Sequence, residues 1–155
     1  MTDNILCMID TNMLIYMFEE SYEVRHELAN ELLEDILNSK VNAAISSQVL
    51  SELFVNLTSG NKKIVAAPLS ISTAKMIIAD IAKTGRFKVF GVEPSTVLEA
   101  IKLKEDSGAP YWDCLIAAIM REHGMSKIYT EDDGFRKIGW IEVINPFSGI
   151  NAQPT

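Results

Sequence analysis

The sequence predicts a single α/β domain built on a parallel sheet of about five strands, with helices on both faces. Short apolar runs alternate along the chain with longer segments in which apolar residues recur at helical spacing. The 155 residues are 48% hydrophobic and 23% charged, a size and balance typical of one globular domain. Because strands separated by helices pair in parallel, this alternation indicates a doubly wound sheet.

The first strand is expected over 5–9, a continuous apolar run typical of a strand that is buried on both faces. It leads into Asp10, and either Thr11 or Asn12 is expected to cap the helix that follows. Four shorter apolar runs predict the remaining strands, at 43–45, 87–92, 127–129 and 140–144.

Helices are predicted between these strands. The longest covers 22–40, where Val24, Leu28 and Leu32 recur on one side and acidic residues fill the other. The turn-rich, basic stretch 58–63 predicts a loop and is the best candidate for a mobile segment. Two further helices are predicted to begin at capping serines, one at Ser46 or Ser47 and one at Ser70 or Ser72. Another is predicted to begin at Pro94 and to end near Gly108, and the last is predicted from the helical pattern over 112–123.

The net charge of −7 argues against a partner that is bound by charge alone, because proteins that hold nucleic acid in that way are usually basic. An acidic balance also arises when carboxylates are present to hold metal ions, which reverse the local field. Composition therefore leaves the class of partner open.

The cysteines and the apolar N-terminal stretch indicate the compartment. Cys7 and Cys114 lie in an apolar run and a helical pattern, so we expect buried free thiols, a reducing compartment and a cytoplasmic location. The apolar stretch 5–18 is interrupted by Asp10 and Asn12, which indicates a buried strand and helix rather than a signal peptide or membrane span. No other stretch is long enough to cross a bilayer.

Acidic residues follow the predicted strands, at the edge where ligands bind in open parallel sheets. Asp10 ends the first strand, and Glu52 lies in the helix after the second. Asp113 opens the helix at 112, and Asp132 follows Thr130 at the end of the fourth strand. Clustered carboxylates raise one another's pKa values and destabilise the fold unless a cation neutralises them. Oxygen ligands suit Mg²⁺ or Mn²⁺, which can activate water and stabilise a phosphoryl oxygen.

Each acid also has a purely structural explanation. Asp10 could be only an N-cap, Asp113 only a first-turn charge, and Glu52 only a solvated helix residue. Within the acidic run 131–133, either neighbour of Asp132 could take its place. The four acids together favour a functional site, whereas no single one of them does.

The other chemistry-bearing residues are assigned no role in the site. Trp112 and Trp140 are expected in the core or at the sheet edge, and His26 and His123 on helix surfaces. The sequence contains no glycine-rich phosphate loop, no Ser-His-Asp arrangement and no Cys-His zinc spacing.

Five segments resemble those of PIN domains, in the order found in that family. The segment 9–16 (Ile-Asp-Thr-Asn-Met-Leu-Ile-Tyr) resembles the opening Asp-x-Asn motif, and 47–53 (Ser-Gln-Val-Leu-Ser-Glu-Leu) resembles the second motif, which supplies the Glu. The segment 111–118 (Tyr-Trp-Asp-Cys-Leu-Ile-Ala-Ala) is similar to the third motif, and 129–132 (Tyr-Thr-Glu-Asp) to the fourth. The close at 143–147 (Val-Ile-Asn-Pro-Phe) matches the final strand of many members, so the resemblance spans nearly the whole chain.

The resemblance implies a parallel α/β fold that hydrolyses RNA phosphodiester bonds with Mg²⁺ or Mn²⁺. It also implies a VapC-type toxin of a toxin–antitoxin pair, which forms a homodimer and is held inactive by a cognate antitoxin. The PIN-like domain is expected over 1–147, with a C-terminal tail over 148–155. By motif, four acids bind metal, namely Asp10, Glu52, Asp113 and Asp132, and three polar residues orient the site, namely Thr11, Asn12 and Thr130.

The sequence is poor in Lys and Arg, so metal bridging is expected to supply much of the affinity for RNA. Six cations are expected to contact phosphates: Lys62, Lys63, Arg121, Lys127, Arg136 and Lys137. Four apolar residues could belong either to the core or to a dimer interface: Met76, Ile77, Leu98 and Ile101.

Two other functions remain open. A magnesium-dependent phosphatase also places an Asp at the end of a first strand, but usually needs a second Asp two residues later, where this chain has Asn12. A PIN-fold module that binds RNA or protein without cutting would keep the fold, but it would gain nothing from clustering four acids.

Overall fold

The structure is a computed structural model that describes residues 5–59 and 67–150. Five strands alternate with helices along the chain, as the apolar pattern predicts. The elements are β1 (Leu6–Ile9), α1 (Thr11–Phe18), α2 (Glu23–Leu37), β2 (Asn42–Ser46), α3 (Ser47–Thr58), α4 (Ile71–Lys83), β3 (Phe87–Phe90), α5 (Pro94–Ser107), α6 (Tyr111–Glu122), β4 (Lys127–Tyr129), a short 3-10 helix (Asp133–Lys137) and β5 (Glu142–Ile144).

All five strands are parallel and lie in the order β3-β2-β1-β4-β5. β1 pairs with β2 on one side and with β4 on the other, so Met8 lies opposite both Ala44 and Ile128. The chain winds outward from β1 to β3, and then adds β4 and β5 on the other side. The strand order therefore reverses between β1 and β4, and ligands bind at the carboxyl ends of strands beside such a switch point. The predicted α/β class and five-stranded parallel sheet are confirmed.

The hydrophobic core covers both faces of the sheet, because the central strands are apolar on both sides. Met8, Ile9 and Ile45 are completely buried. α6 is enclosed more fully than the other long helices, and each of its residues from 113 to 120 is buried. In α2, by contrast, only one face is buried. The carboxylate of Asp113, at the start of α6, is therefore carried into a region largely shielded from water.

The helix starts are set by side-chain caps. Ser46 and Ser70 each accept a hydrogen bond from the backbone N–H three residues later, as two of the predicted alternatives require. The expected cap at Thr11 or Asn12 is wrong. Asp10 is the N-cap of α1, and its Oδ1 accepts the Thr11 N–H at 2.8 Å. Both of the expected capping side chains instead bind polar groups from distant parts of the chain.

Several element boundaries differ from the predictions by one to three residues. α2 ends at 37 rather than 40, β3 ends at 90 rather than 92, α6 begins at 111 rather than 112, and β5 begins at 142 rather than 140. The 3-10 helix was not predicted. It forms where Asp132 Oδ1 accepts the Gly134 N–H at 2.9 Å and where Phe135 is completely buried. Residues 60–63 of the predicted loop lie outside the described residues.

A partly buried ion pair connects the segment after β4 to α1 and α2. Arg25 Nη2 lies 2.8 Å from Glu131 Oε1, and Arg25 Nε donates to the same oxygen at 2.9 Å. The Tyr16 hydroxyl donates to Glu131 Oε2 at 2.8 Å. The guanidinium also lies over the ring of Phe147, 5.6 Å from its centroid. Because both oxygens of Glu131 have donors, this acid stabilises the fold and is not available to replace Asp132 in the cleft.

Other predictions concern which side chains are buried. Both cysteines are buried and free, as expected. Met76, Leu98 and Ile101 are 66%, 69% and 44% exposed, so they lie on the surface and not in the core. Ile77 is half-buried against the core. Within the ranges that the structure describes, no helix is both long and apolar enough to cross a membrane.

Candidate active site

A cleft of about 240 Å³ opens at the carboxyl edge of the sheet, beside the switch point between β1 and β4. Its walls come from α1, α3, the start of α6 and the segment after β4. The four acids predicted for the site all line it, and so do two of the three polar residues predicted to orient it. These six residues are Asp10, Glu52, Asp113, Asp132, Thr11 and Asn12.

Asp10 lies at the base of the cleft and is held by two donors. Its Oδ1 accepts the Thr11 N–H at 2.8 Å, and its Oδ2 accepts the Thr130 hydroxyl at 2.7 Å. The residue as a whole is 8% exposed. The structural explanation for Asp10 is therefore correct, since it is an N-cap, but it is not complete. The same side chain also lines the cleft with the other acids.

Thr130 connects the ends of the two central strands. Its hydroxyl donates to Asp10, and it accepts the Asn12 Nδ2–H at 3.3 Å and the Asp132 backbone N–H at 2.9 Å. It is completely buried. A single hydroxyl thus links the residue that follows β1 to the turn that follows β4.

Glu52 projects from α3 toward α1 and is not a freely solvated helix residue. Its Oε2 accepts the Thr11 hydroxyl at 2.8 Å, and its Oε1 accepts the Gln48 Nε2–H at 2.6 Å. Gln48 and Glu52 are four residues apart, so they lie on the same helix face. These contacts direct the carboxylate into the cleft and leave it half-buried.

Asp113 is the least satisfied of the acids. It lies in the first turn of α6, is 8% exposed, and its Oδ2 is buried without a hydrogen-bond partner in the structure. A Cβ atom built on Gly134 would overlap Asp113 Oδ2 and press on Pro110. Only glycine at 134 leaves room for this carboxylate in its observed position.

Of the three consecutive acids after β4, only Asp132 lines the cleft. It is exposed, and its Oδ1 accepts the Gly134 N–H at 2.9 Å. Glu131 is bound by Arg25 and Tyr16, and Asp133 is exposed and pairs with Arg136 at 3.1 Å. The geometry therefore favours Asp132 over both of its neighbours.

Burial and mutual repulsion shift the pKa values of the two central acids. Burial raises the pKa of Asp10 from 3.8 to about 6, although the hydrogen bonds from Thr130 and the Thr11 N–H oppose the rise. Burial also raises the pKa of Asp113 from 3.8 to about 7, and the charges of Asp132, Asp10 and Glu52 add to this rise. The two buried carboxylates thus feel the charges of Glu52 and Asp132, and a cation would relieve this repulsion.

The donor atoms suit a hard divalent cation. Every polar side chain in the cleft offers oxygen, and two lining residues, Asn12 and Asp113, each have a buried oxygen without a hydrogen-bond partner. Such oxygens match the preference of Mg²⁺ or Mn²⁺. In the part of the chain that the structure describes, however, no three Asp, Glu, His or Cys side chains are grouped closely enough to hold a metal ion as they stand. The chemistry of the cleft fits a divalent ion, and the hydrogen bonds at Glu52 and Asp132 would have to adjust to bind it.

The predicted phosphate-binding cations are mostly placed elsewhere. Arg121 lies in the last turn of α6, at the opposite end from Asp113, and pairs with Glu99 at 2.8 Å. Lys127 begins β4, at the amino edge of the sheet, and its Nζ lies 3.7 Å from Glu142. Neither residue therefore lies where it could contact a phosphate bound in the cleft. The other four are Arg136 and Lys137, exposed on the 3-10 helix, and Lys62 and Lys63, outside the described residues.

Sequence reasoning missed several residues of the cleft. Trp112 was expected in the core or at the sheet edge, but its side chain is 61% exposed and forms part of the cleft wall. Asn56 also lines the cleft, and its position four residues after Glu52 could have identified it. The role of Gly134 has no local signal, because it depends on contact with a helix that lies about twenty residues earlier in the chain.

Comparisons with known proteins assign the chain to a family. The family model for the PIN domain matches residues 7–141. VapC20 from Mycobacterium tuberculosis, a sarcin-ricin loop cleaving toxin, is 20% identical, with a TM-score of 0.66 over 89% of this chain and 98% of that one. VapBC2 from Rickettsia felis, bound to a DNA fragment from its promoter, is 18% identical, with a TM-score of 0.64 over 91% and 98%.

A toxin–antitoxin complex from Klebsiella pneumoniae is 18% identical, with a TM-score of 0.62 over 90% of this chain and 97% of that one. No curated protein sequence matches the chain. At these identities the structural neighbours support the fold alone. The family model, however, matches far more than half of the 155 residues, in the segment that contains all four acids. The protein therefore belongs to the PIN domain family.

Proposed function

We propose that this PIN domain is a metal-dependent ribonuclease that hydrolyses RNA phosphodiester bonds. The observation that carries the proposal is the convergence of four carboxylates, from four distant segments, on one cleft at the switch point of the sheet. Such a cluster destabilises the metal-free protein, because burial and repulsion raise the pKa values of Asp10 and Asp113. Membership of the PIN family supports nuclease chemistry as the function that the cluster serves.

In this proposal Asp10, Glu52, Asp113 and Asp132 hold Mg²⁺ or Mn²⁺. When bound, the ion would supply positive charge that activates water and stabilises the phosphoryl oxygens. Thr130 keeps Asp10 oriented through its 2.7 Å hydrogen bond.

Asp113 is proposed to orient the attacking water through its carboxylate, whose Oδ2 is buried without a hydrogen-bond partner in the structure. Burial of the cleft keeps this carboxylate in a poorly hydrated environment, where such a contact orients water strongly. Thr11 and Asn12 act through other residues: Thr11 holds Glu52 at 2.8 Å, and Asn12 donates to Thr130. Both are proposed to be positioning residues.

We further propose that the protein is the cytoplasmic toxin of a type II toxin–antitoxin pair. The neighbours from Klebsiella pneumoniae and Rickettsia felis support a cognate antitoxin, and VapC20 supports RNA as the substrate. A homodimer is part of this proposal, with the exposed apolar side chains of Met76, Leu98 and Ile101 as candidate contact residues.

A second candidate function is a catalytically silent PIN module that binds RNA or protein. An apolar groove of about 500 Å³ between α3 and α4, lined by Phe54, Ile71 and Ile78 among others, would suit a protein partner in either case. The unpartnered Asp113 oxygen favours the nuclease, because a silent module has no use for it. A phosphatase is disfavoured because Asn12 occupies the position where a second Asp would be needed.

The proposal is tested by incubating the purified protein with a labelled, mixed-sequence RNA pool in Mn²⁺, in Mg²⁺ and in chelator. Cleavage that requires a divalent ion is expected. Absence of both cleavage and ion binding by the folded protein would support the silent module, and cleavage that persists in chelator would contradict the role of the four acids.

Addition of Mg²⁺ or Mn²⁺ is expected to stabilise the folded protein at neutral pH. An ion at about 100 times its dissociation constant adds about 2.7 kcal/mol to the free energy of unfolding. For a domain of this size that corresponds to a rise in Tm of roughly 5–10 °C. Thermal unfolding followed by circular dichroism measures the shift. An equal shift in Asp113→Asn would show that the ion binds elsewhere.

Gly134→Ala is expected to lower kcat for RNA cleavage by about 10²-fold, because a methyl group at 134 displaces the Asp113 carboxylate. Gly139→Ala is the matched control, since nothing lies within 4 Å of a Cβ built there. Neither glycine has a positive φ, so alanine does not strain the backbone at either position. Equal kcat values for the two variants would exclude this steric role of Gly134.

A further inference from the structure

We propose that Trp112 is a stacking platform for an unpaired base of the RNA substrate, beside the phosphate that the carboxylate cleft receives. This inference rests on the ribonuclease function proposed above. It adds a binding residue that lies outside the set of acids.

The position of Trp112 is not explained by packing of the core. Its side chain is 61% exposed, whereas the eight residues that follow it in α6 are all buried. Isolated exposed apolar residues are common, but tryptophan is usually buried for most of its surface. This one forms part of the cleft wall, and its neighbour in the first turn of α6 is Asp113. A base on the indole would therefore lie in the same cleft as a phosphate at the acids.

The indole is held in place by an aromatic neighbour. The rings of Tyr111 and Trp112 meet edge to face, with centroids 5.3 Å apart and an angle of 72° between their planes. Tyr111 is half-buried and packs against the core. Its contact limits the orientations open to the indole, so less conformational entropy is lost when a base stacks on it.

The cleft and the whole chain offer little positive charge to attract RNA, so an uncharged contact such as base stacking becomes more important. None of the described residues that line the cleft is a Lys or an Arg. The whole chain carries a net charge of −7, so its long-range field repels the RNA backbone. Stacking on an aromatic ring needs no protein charge and tolerates any base, because every base has a π-face. An indole at the cleft supplies affinity that this acidic surface lacks.

The geometry points to single-stranded RNA as the occupant. In a duplex the base faces are already stacked on one another, so they are not available to an indole on the protein surface. A base in a loop or a single strand can be turned onto the ring while its phosphate enters the cleft. A protein segment covering Trp112 is the alternative, and the experiments below distinguish it.

The emission of Trp112 reports directly on stacking once the other tryptophan is removed. Trp140 lies in a half-buried site, and Trp140→Phe keeps a ring beneath the Arg121 guanidinium, which lies 4.7 Å from the ring centroid. The Trp140→Phe protein is mixed with Mn²⁺ and mixed-sequence single-stranded RNA in a stopped-flow instrument, before product accumulates. An abasic ribose-phosphate oligomer of equal length and an RNA duplex are the controls. Quenching by single-stranded RNA alone is expected. Emission that is unchanged by RNA, or quenched equally by the abasic oligomer, would overturn the proposal.

Kinetics separate binding of a base from positioning of Asp113. Trp112→Ala is expected to raise KM for single-stranded RNA by roughly 5- to 150-fold, the range for loss of one stacked base. The kcat value should change little. Trp112→Phe keeps a ring and should retain most of the affinity. Because the indole is mostly exposed, Trp112→Ala should fold, and its circular dichroism spectrum checks this.

An unchanged KM in folded Trp112→Ala would overturn the proposal and would favour a protein segment as the group that covers the indole. A lower kcat with unchanged KM would also overturn it, because the ring would then act only by positioning Asp113. If the unmodified chain cleaves no RNA in any metal, the proposed nuclease function fails. The emission measurement then still decides whether a base stacks on Trp112.

Discussion

Asp10→Asn is expected to lower kcat for RNA cleavage by about 10³-fold or more while the protein remains folded. The variant removes one negative charge from the four that face the cleft, and it replaces one ligand oxygen by an amide N–H₂ group, which repels a cation. The fold should survive, because an amide oxygen can still accept the Thr11 N–H that caps α1. Initial cleavage rates at saturating RNA and Mn²⁺ measure the effect.

Asp133→Asn is the matched control for this experiment. Asp133 is exposed, pairs only with Arg136 among the contacts that the structure describes, and does not line the cleft. The same chemical change three residues after Thr130 should therefore leave kcat close to that of the unmodified protein. Comparable losses in both variants would indicate a general electrostatic effect. Full activity in folded Asp10→Asn would refute the metal-ligand role of Asp10.

The metal-free protein should become less stable as the pH rises toward neutral, and Asp113→Asn should remove the part of this dependence that Asp113 causes; Asp10, whose pKa is raised to about 6, causes a further part. Burial raises the pKa of Asp113 from 3.8 to about 7. Below pH 3.8 the acid is protonated in both states, and no penalty exists. Between these two pKa values the unfolded chain releases the proton while the folded protein keeps it, so the free energy of unfolding falls. Above about pH 7 the penalty is complete.

The expected size follows from the difference between the two pKa values. Each pKa unit corresponds to about 1.4 kcal/mol, so 3.8 and about 7 give a loss of roughly 4 kcal/mol. Urea unfolding of both proteins in chelator, at several pH values, isolates this effect from other titrating groups. The stability gained by Asp113→Asn over the unmodified chain should grow from near zero at acid pH to several kcal/mol at pH 8. A gain that does not change with pH would mean that Asp113 is not the penalised charge.

Much of the architecture could be predicted because the relevant signals are local. Each strand is a short apolar run, and Ser46, Ser70 and Gly108 mark helix ends by backbone chemistry that depends on few neighbours. The parallel order follows from the alternation of strands and helices. Strand order then places the residues that follow β1 and β4 together, which is why Asp10 and Asp132 could be predicted to share a site.

The errors arose where distant contacts choose between residues with similar local preferences. Asp10, Thr11 and Asn12 are all good capping residues. Asp10 is the N-cap, because the Thr11 hydroxyl is bound to Glu52, forty-one residues away. Trp112 was expected to be buried because of its size. Its actual position depends on the rotation of α6, which the apolar residues after Asp113 determine.

Transplanting this site onto another scaffold would require more than its four acids. The acidic run 131–133 carries three formal negative charges, yet only the Asp132 side chain lines the cleft. Arg25 and Tyr16 occupy both oxygens of Glu131, so that side chain is held away from the other carboxylates. A graft without Arg25 would leave Glu131 as a partly buried, uncompensated charge, which is strongly destabilising. The smallest portable unit of this PIN domain therefore includes a residue from α2 that never contacts the cleft.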